Sequence, residues 1–248
     1  MANSVGWSKR VLAGAALAAC IVGGIAATVQ DKFNGSELSS FWSSSISAQG
    51  AMTVSGGKLN FSCDSSFSQG LIVHQSLALS ATKNWTMSFD YVLNQGDAPD
   101  NGAWSGLIAP FGGAADASPS VLAIVVYRSA QGTFLGTIDT SVSAGNSLIP
   151  VPVASIPAQG NLVIGYNAKK DRLQVWVNNQ SKLVAKRFNA LRNPGDVQNF
   201  ILLQGLTDAD PVLHADDSEP PVWVHTNGMQ ADNLRVTGKG VVPVTTVD

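Results

Sequence analysis

Charge is scarce in this 248-residue chain. Asp, Glu, Lys and Arg together supply 13% of it, against roughly 25% in an average soluble protein. The formal net charge is −2 and there is no run of Lys or Arg, so the electrostatic footprint that nucleic acid requires is missing. Cysteine is nearly absent, with Cys20 and Cys63 alone. Cys20 lies in an N-terminal apolar segment, which leaves Cys63 by itself and excludes a disulfide framework. His74, His214 and His225 are too scattered to argue a zinc site, and neither His-Glu-x-x-His nor Gly-x-Ser-x-Gly occurs. Zinc-hydrolase, serine-hydrolase and nucleotide-binding chemistry all lack their motifs.

What the chain has in plenty is Gly, at 24 residues, with Ser, Thr and Asn crowding the gaps between short apolar runs. Such a composition suits the neutral, hydroxyl-rich surface of an exported β-protein. Residues 1–10 end in Lys9 and Arg10, and 11–27 carry no charge, which is the order of an export signal. Its loss would take the formal charge from −2 to −4, because two positive charges leave and no negative one does. Two processing routes stay open. Gly24, Ala26 and Ala27 offer small residues for ordinary cleavage, whereas Leu17-Ala18-Ala19-Cys20 resembles a bacterial lipobox, in which Cys20 is lipidated and anchors the protein to a membrane. Retention as an uncleaved helix is a third route, weakened by Gly14, Gly23 and Gly24 in a run at the short edge of the ~17–25 residues that span a bilayer. The expected location is secreted, periplasmic or cell-surface, with 28–238 as one domain and 239–248 as a frayed tail.

Residues 161–179, NLVIGYNAKKDRLQVWVNN, read as a β-hairpin. Leu162, Ile164 and Tyr166 share one face of its first arm, and Leu173, Val175 and Val177 share one face of the second, the period of half-buried strands. Gln174, Trp176 and Asn178 take the opposite face, and the dry side requires a second sheet to cover it. Residues 84–93 repeat the pattern, with Trp85, Met87, Phe89 and Tyr91 as a core wall. The run 121–126 has no polar residue at all, as a strand buried on both faces would. Pro150 and Pro152 mark an edge or a crossover, because proline cannot donate to a ladder. Gly56 and Gly57 close a hairpin between 51–54 and 58–63, on which Cys63 reads as a small buried hydrophobe. Residues 206–228 are the longest stretch without a period, and loops of that length tend to be functional or disordered.

Four local patterns carry a resemblance. Asp31-Lys32-Phe33 followed by Phe41-Trp42, the Gly57-Lys58-Leu59 hairpin, LQVWVNN at 173–179, and Asp232-Asn233-Leu234-Arg235-Val236 resemble the concanavalin A-like lectin/glucanase superfamily of secreted bacterial jelly-roll domains. The resemblance implies an all-β, two-sheet antiparallel jelly-roll sandwich with the hairpin central and both termini meeting on one outer strand pair. It further implies a structural calcium ion where the first and last strands pair, held by Asp31 and Asp232 with a carbonyl near Gly57 or Lys58. Two carboxylates would supply only part of the ~6–8 oxygens that calcium takes.

The superfamily includes glycosidases, whose laminarinase-like members carry Glu-x-Asp-x-x-Glu on one strand. Retaining enzymes of this kind need two carboxyl groups about 5–5.5 Å apart. With Glu37 and Glu219 as the only glutamates, the pattern is absent. Asp208, Asp210, Asp216 and Asp217 with His214 form the densest acidic cluster, open to reading as a solvated loop, a calcium loop or a catalytic loop. Aromatics offer the better lead. A pyranose presents an apolar C–H face that stacks on an indole, while its hydroxyls pair with amides. Trp176 between Gln174 and Asn178 fits that requirement, with Trp104 and Trp223, in or beside loops, as a groove's rim; Trp42 and Trp85 belong in the core. The expected function is a non-catalytic module that binds a glycan or cell-surface polysaccharide. A hydrolase or lyase using 206–228, and a structural envelope protein without ligand, stand as alternatives. The missing glutamate pair favours the binder over the enzyme.

Overall fold

The period-two runs become strands, and their pairing sorts them into two sheets. The computed structural model describes residues 26–46, 50–63, 67–94, 104–111, 122–139, 150–186, 199–208 and 225–243. The first sheet runs, side by side, β13 (Gln180–Lys186), β12 (Arg172–Val177), β11 (Gln159–Asn167), β6 (Trp85–Leu93), β15 (His225–Gly238), β4 (Lys58–Cys63) and β3 (Gly50–Ser55), with β1 (Ala27–Asp31) also on β15. The second runs β10 (Val151–Ser155), β9 (Gly132–Asp139), β8 (Leu122–Ser129), β7 (Trp104–Phe111), β14 (Asn199–Asp208), β5 (Phe67–Leu79) and β16 (Val241–Pro243), with β2 (Trp42–Ile46) also on β5.

The inner faces supply the core. Trp85, Met87, Phe89, Tyr91 and Leu93 of β6 are each buried, and they share one cluster with Leu107 of β7, Ile124 and Val126 of β8 and Leu203 of β14. Each such side chain contributes about 1.5–3 kcal/mol by leaving water. In the hairpin, Leu162 pairs with Val177, Ile164 with Val175 and Tyr166 with Leu173, and all six are buried. Its turn is a 3₁₀ turn, Ala168–Lys170, whose opening is fixed by Asn167 Oδ1 accepting from the Lys170 amide and whose end is Asp171 at φ 44°. Gly56 and Gly57, at φ 60° and 73°, form the β3–β4 turn that their lack of a Cβ permits.

Residues 123–127 are buried on both faces of β8, as their unbroken apolar run implied. Ala123, Val125 and Tyr127 point away from the inter-sheet core and join Trp104, Ile108 and Ile138 in a second apolar cluster. Strand β10 lies at the end of its sheet, its ladder shifting register between Pro152 and Ala154.

The long-range arrangement departs from expectation in four places. The hairpin is not central: β12 is second from the edge, and β6 occupies the middle with β15 beside it. The termini meet there too, since β1 pairs with residues 234–238 of β15 while β4 pairs with its earlier half. The chain past 238 is not frayed as far as Pro243, because β16 pairs with β5. Finally, 206–208 end β14 and 225–228 begin β15, so the aperiodic stretch is shorter at both ends. Residues 209–224, which hold Asp210, His214, Asp216, Asp217 and Trp223, lie outside the described residues, as do residues 1–25 with Cys20.

Candidate functional site

Cross-strand register brings distant residues into one row on the outer face of the first sheet. Gln174 of β12 stands beside Gly165 of β11, Gly165 beside Thr86 of β6, and Thr86 beside Thr237 of β15. Trp176, two residues along β12, is half-buried on the same face. Its ring leans over Gly165, where an added Cβ would stand 3.0 Å from the indole. Gly165 is thus the gap into which the ring settles. The result is an open groove of roughly 630 Å³ with Trp176, Gln174, Thr86 and Thr237 along it and Lys83, Arg172 and Lys239 at one end.

The polar groups of this groove are oriented by one another. Arg172 donates to Gln174 Oε1 (2.9 Å), and Gln174 donates through Nε2 to Ser181 Oγ (3.2 Å). Asn178 is exposed at φ 49°, and its Oδ1 accepts from the Asn161 amide (2.9 Å). It therefore fastens the hairpin to its own first arm and does not line the groove. Of the residues expected from sequence, Trp176 and Gln174 come together here. Trp104 does not: it is 3% exposed and packs edge-on against Tyr127 in the second apolar cluster. The missed residues include Arg172, which opens the hairpin's second arm, and Lys83, Thr86, Thr237 and Lys239, which come from strands and turns remote in sequence.

Asp31 and Asp232 point to opposite faces of the sheet and are not brought to one point. Asp31 is buried, accepting from the Phe33 amide (2.7 Å), Ser39 Oγ (2.9 Å) and Trp42 Nε1 (2.9 Å). Its carboxylate is the knot that ties the entry loop to the core. Asp232 stands on the outer face beside Asp90. A bulge between Asp232 and Arg235, with Asn233 at φ 50°, turns it outward. There Asn233 Nδ2 donates to Asp90 Oδ2 (2.7 Å) and Asp232 Oδ2 (3.2 Å), and Asn161 Nδ2 donates to Asp90 Oδ1 (2.8 Å). Among the described residues no group of three or more His, Cys, Asp or Glu could hold a metal ion.

The titratable groups of the interior are structural. Burial pushes the Tyr91 phenol up to about 12, and its hydroxyl donates to the Pro157 carbonyl. Burial also raises Tyr127. His74 is lowered by burial and lies between Phe41, stacked at 5.3 Å, and Trp42, edge-on at 5.4 Å. Its Nδ1 accepts from the Ser76 and Leu77 amides, which fixes a neutral ring with its proton on Nε2. None of the three is placed to act as a base in the groove, and no carboxylate is among the described residues that line it.

By sequence, the chain matches no protein-family model and no curated protein. By structure it is similar to several solved proteins. One is a pseudo beta-1,3-glucanase and immunostimulatory antigen of Mycobacterium tuberculosis, at TM-score 0.54 and 14% identity over 85% of this chain and 98% of that one. The Emp47p carbohydrate recognition domain gives 0.52 and 13% over 86% and 95%. The winged bean acidic lectin, complexed with methyl-alpha-D-galactose, gives 0.52 and 12% over 86% and 98%. The fold is therefore the concanavalin A-like jelly roll expected from the four sequence patterns.

Proposed function

We propose that this protein is a non-catalytic, exported module that binds carbohydrate in the groove over Gly165. The observation that carries the reading is the half-buried Trp176, resting on a glycine gap and surrounded by amides and hydroxyls. An indole so placed offers a sugar ring a stacking face, and Gln174, Thr86 and Thr237 offer its hydroxyls partners. Glycoside hydrolysis calls for a pair of carboxyl groups flanking the bond, and the described residues that line the groove contribute none. The structurally similar lectin and carbohydrate recognition domain bear names that accord with sugar binding, and the mycobacterial neighbour is named a pseudo-glucanase.

A single aromatic platform adds on the order of 0.5–1.5 kcal/mol beyond area burial. Affinity in the high-micromolar to millimolar range, about −4 to −5 kcal/mol, is the expectation. On a glycan array, and by calorimetry with the best ligand, Trp176→Ala should lose detectable binding while keeping its melting temperature. Reducing sugar released from a polysaccharide, and lost on substituting Asp208 or Asp216, would overturn the binder in favour of a hydrolase. Export rests on residues 1–27; incorporation of labelled lipid that stops with Cys20→Ser would assign the anchored route over simple secretion.

A further inference from the structure

We propose that the groove selects an acidic saccharide, one bearing uronate carboxylates or sulfate esters, over a neutral one. The inference rests on the carbohydrate reading of the same groove and names its ligand class. Its basis is a concentration of cations at one end of the first sheet. Lys83 precedes β6, Arg172 opens β12 and Lys239 follows β15, and all three line the groove. Lys169 and Lys170, exposed on the neighbouring turn, bring the number to five of the chain's fifteen Lys and Arg. The whole chain is meanwhile net negative, at −2.

Three turns remote in sequence are knitted together to make this end. The Gly240 amide donates to the Asn84 carbonyl (2.8 Å), and the Ala168 amide donates to Asn84 Oδ1 (2.9 Å). Asn84 thus holds the turn bearing Lys83, the turn bearing Lys239 and the hairpin turn in fixed relation. The cations stand on ordered backbone, which lowers the entropy that binding must overcome.

Among the described residues the nearby negative charge is outnumbered, with Asp171 alone beside the five cations. Asp171 is buried and accepts from Tyr166 Oη (3.2 Å). Asp90 shares the outer face with Thr86 but lies four residues further along β6, about 14 Å at ~3.4 Å per residue, and both its oxygens accept amide hydrogens. That separation exceeds the ~8–10 Å over which exposed charges interact at physiological salt. Arg172 is held toward the groove by its bond to Gln174, so its planar fork is available to a carboxylate or sulfate. An acidic sugar would stack on Trp176 and place its anion toward Arg172, Lys83 and Lys239.

The test compares a uronate oligosaccharide with its carboxyl-reduced, neutral counterpart, by calorimetry on the intact protein and with inorganic polyphosphate as an ionic control. The acidic ligand should bind about tenfold or more tightly than the reduced one, and lose most of that advantage between ~50 and ~300 mM NaCl. Lys83→Gln with Lys239→Gln should weaken the acidic ligand several-fold and the neutral one far less, whereas Lys32→Gln, which removes a charge away from the groove, should alter neither. Equal affinity for the two sugars, both lost in Trp176→Ala, would overturn the acidic preference and leave the carbohydrate reading standing. Binding of neither sugar, or polyphosphate binding as tight as the uronate and indifferent to Trp176→Ala, would overturn both.

Discussion

Strand β6 buries every second side chain, whereas β8 buries residues 123–127 without a break. Both strands press one face into the same inter-sheet core; they differ in what lies behind them. Behind β6 stand Thr86, Ser88 and Asp90, half-buried and polar, next to a groove. Behind β8 stand Val125 and Tyr127, as dry as the core and packed with Trp104. One sheet therefore uses β6's inner face for stability and leaves its outer face polar and accessible, while β8 of the second packs on both. An aromatic on the outer face of the first sheet is free to meet a ligand, and one on the outer face of the second is a structural element.

Substitutions sharpen that contrast. The largest effect should follow Val125→Asp, which buries an unpaired charge although the residue points away from the inter-sheet core. A cost above about 4 kcal/mol would consume much of a domain's usual 5–15 kcal/mol margin, and Val175→Asp should be equally damaging. Ser88→Asp, outward on the first sheet, should stay within about 1 kcal/mol by chemical denaturation. If Val125→Asp folds normally, the second sheet's outer face is not a core.

Two glycines extend the comparison. An added Cβ at Gly106 of β7 would lie 2.5 Å from the Val126 carbonyl oxygen and 2.7 Å from Tyr127 Cβ, atoms that cannot step aside. Gly106→Ala should cost about 2–3 kcal/mol. At Gly165 the obstacle is an indole edge at 3.0 Å, which can tilt, so Gly165→Ala should cost about 1 kcal/mol or less and act chiefly on ligand affinity. Equal melting temperatures for the two variants would show that the backbone of β8 yields as readily as Trp176.

The two aspartates once expected to share an ion make a third pair. Asp31→Ala leaves the indole N–H of Trp42 without its acceptor, at a cost of about 1–3 kcal/mol. Asp232→Ala, on the solvated face, should cost about 0.5 kcal/mol. A melting temperature that fell on adding a chelator would restore the metal.

The smallest effect is a pH dependence. Because burial lowers His74 below 6.5 in the folded protein, the unfolded chain takes up the proton first as pH falls. His74's contribution is present above about 6.5 and is lost as the pH drops toward its folded value. Thermal melts at about pH 7.5 and 5.5 should show a decline that His74→Gln reduces, and an identical decline in that variant would assign it elsewhere.

The faces of the hairpin were legible because alternation is local: the spacing of Leu173, Val175 and Val177 alone puts Trp176 outside. Its lateral place was not, since sheet order depends on which remote strands pair. Trp104 was misplaced for want of a neighbour. The apolar run at 121–126 already marked a strand dry on both faces, but only the pairing of Trp104 with Ser129 sets the two side by side. Asp232 failed for a subtler reason. Leu234 and Val236 are buried, so parity places Asp232 inside with them, and a single extra residue around Asn233 reverses it. The groove's cations were illegible because Lys83, Arg172 and Lys239 lie far apart in the chain and are gathered by sheet register and by the bonds that Asn84 makes to the neighbouring turns.

The pairing of Ala27 with Gly238 and of Asp31 with Leu234 has a bearing on time. Thr28 and its partner Thr237 lie 209 residues apart, and all of the chain between them must be made before the two can pair. Until residues 234–238 arrive, β6 lacks one neighbour and Val29 has nothing opposite it. Contacts so remote make folding slow, and here they also make it late. A sheet that cannot close until β15 is made leaves its earlier strands waiting, β1 the longest of all.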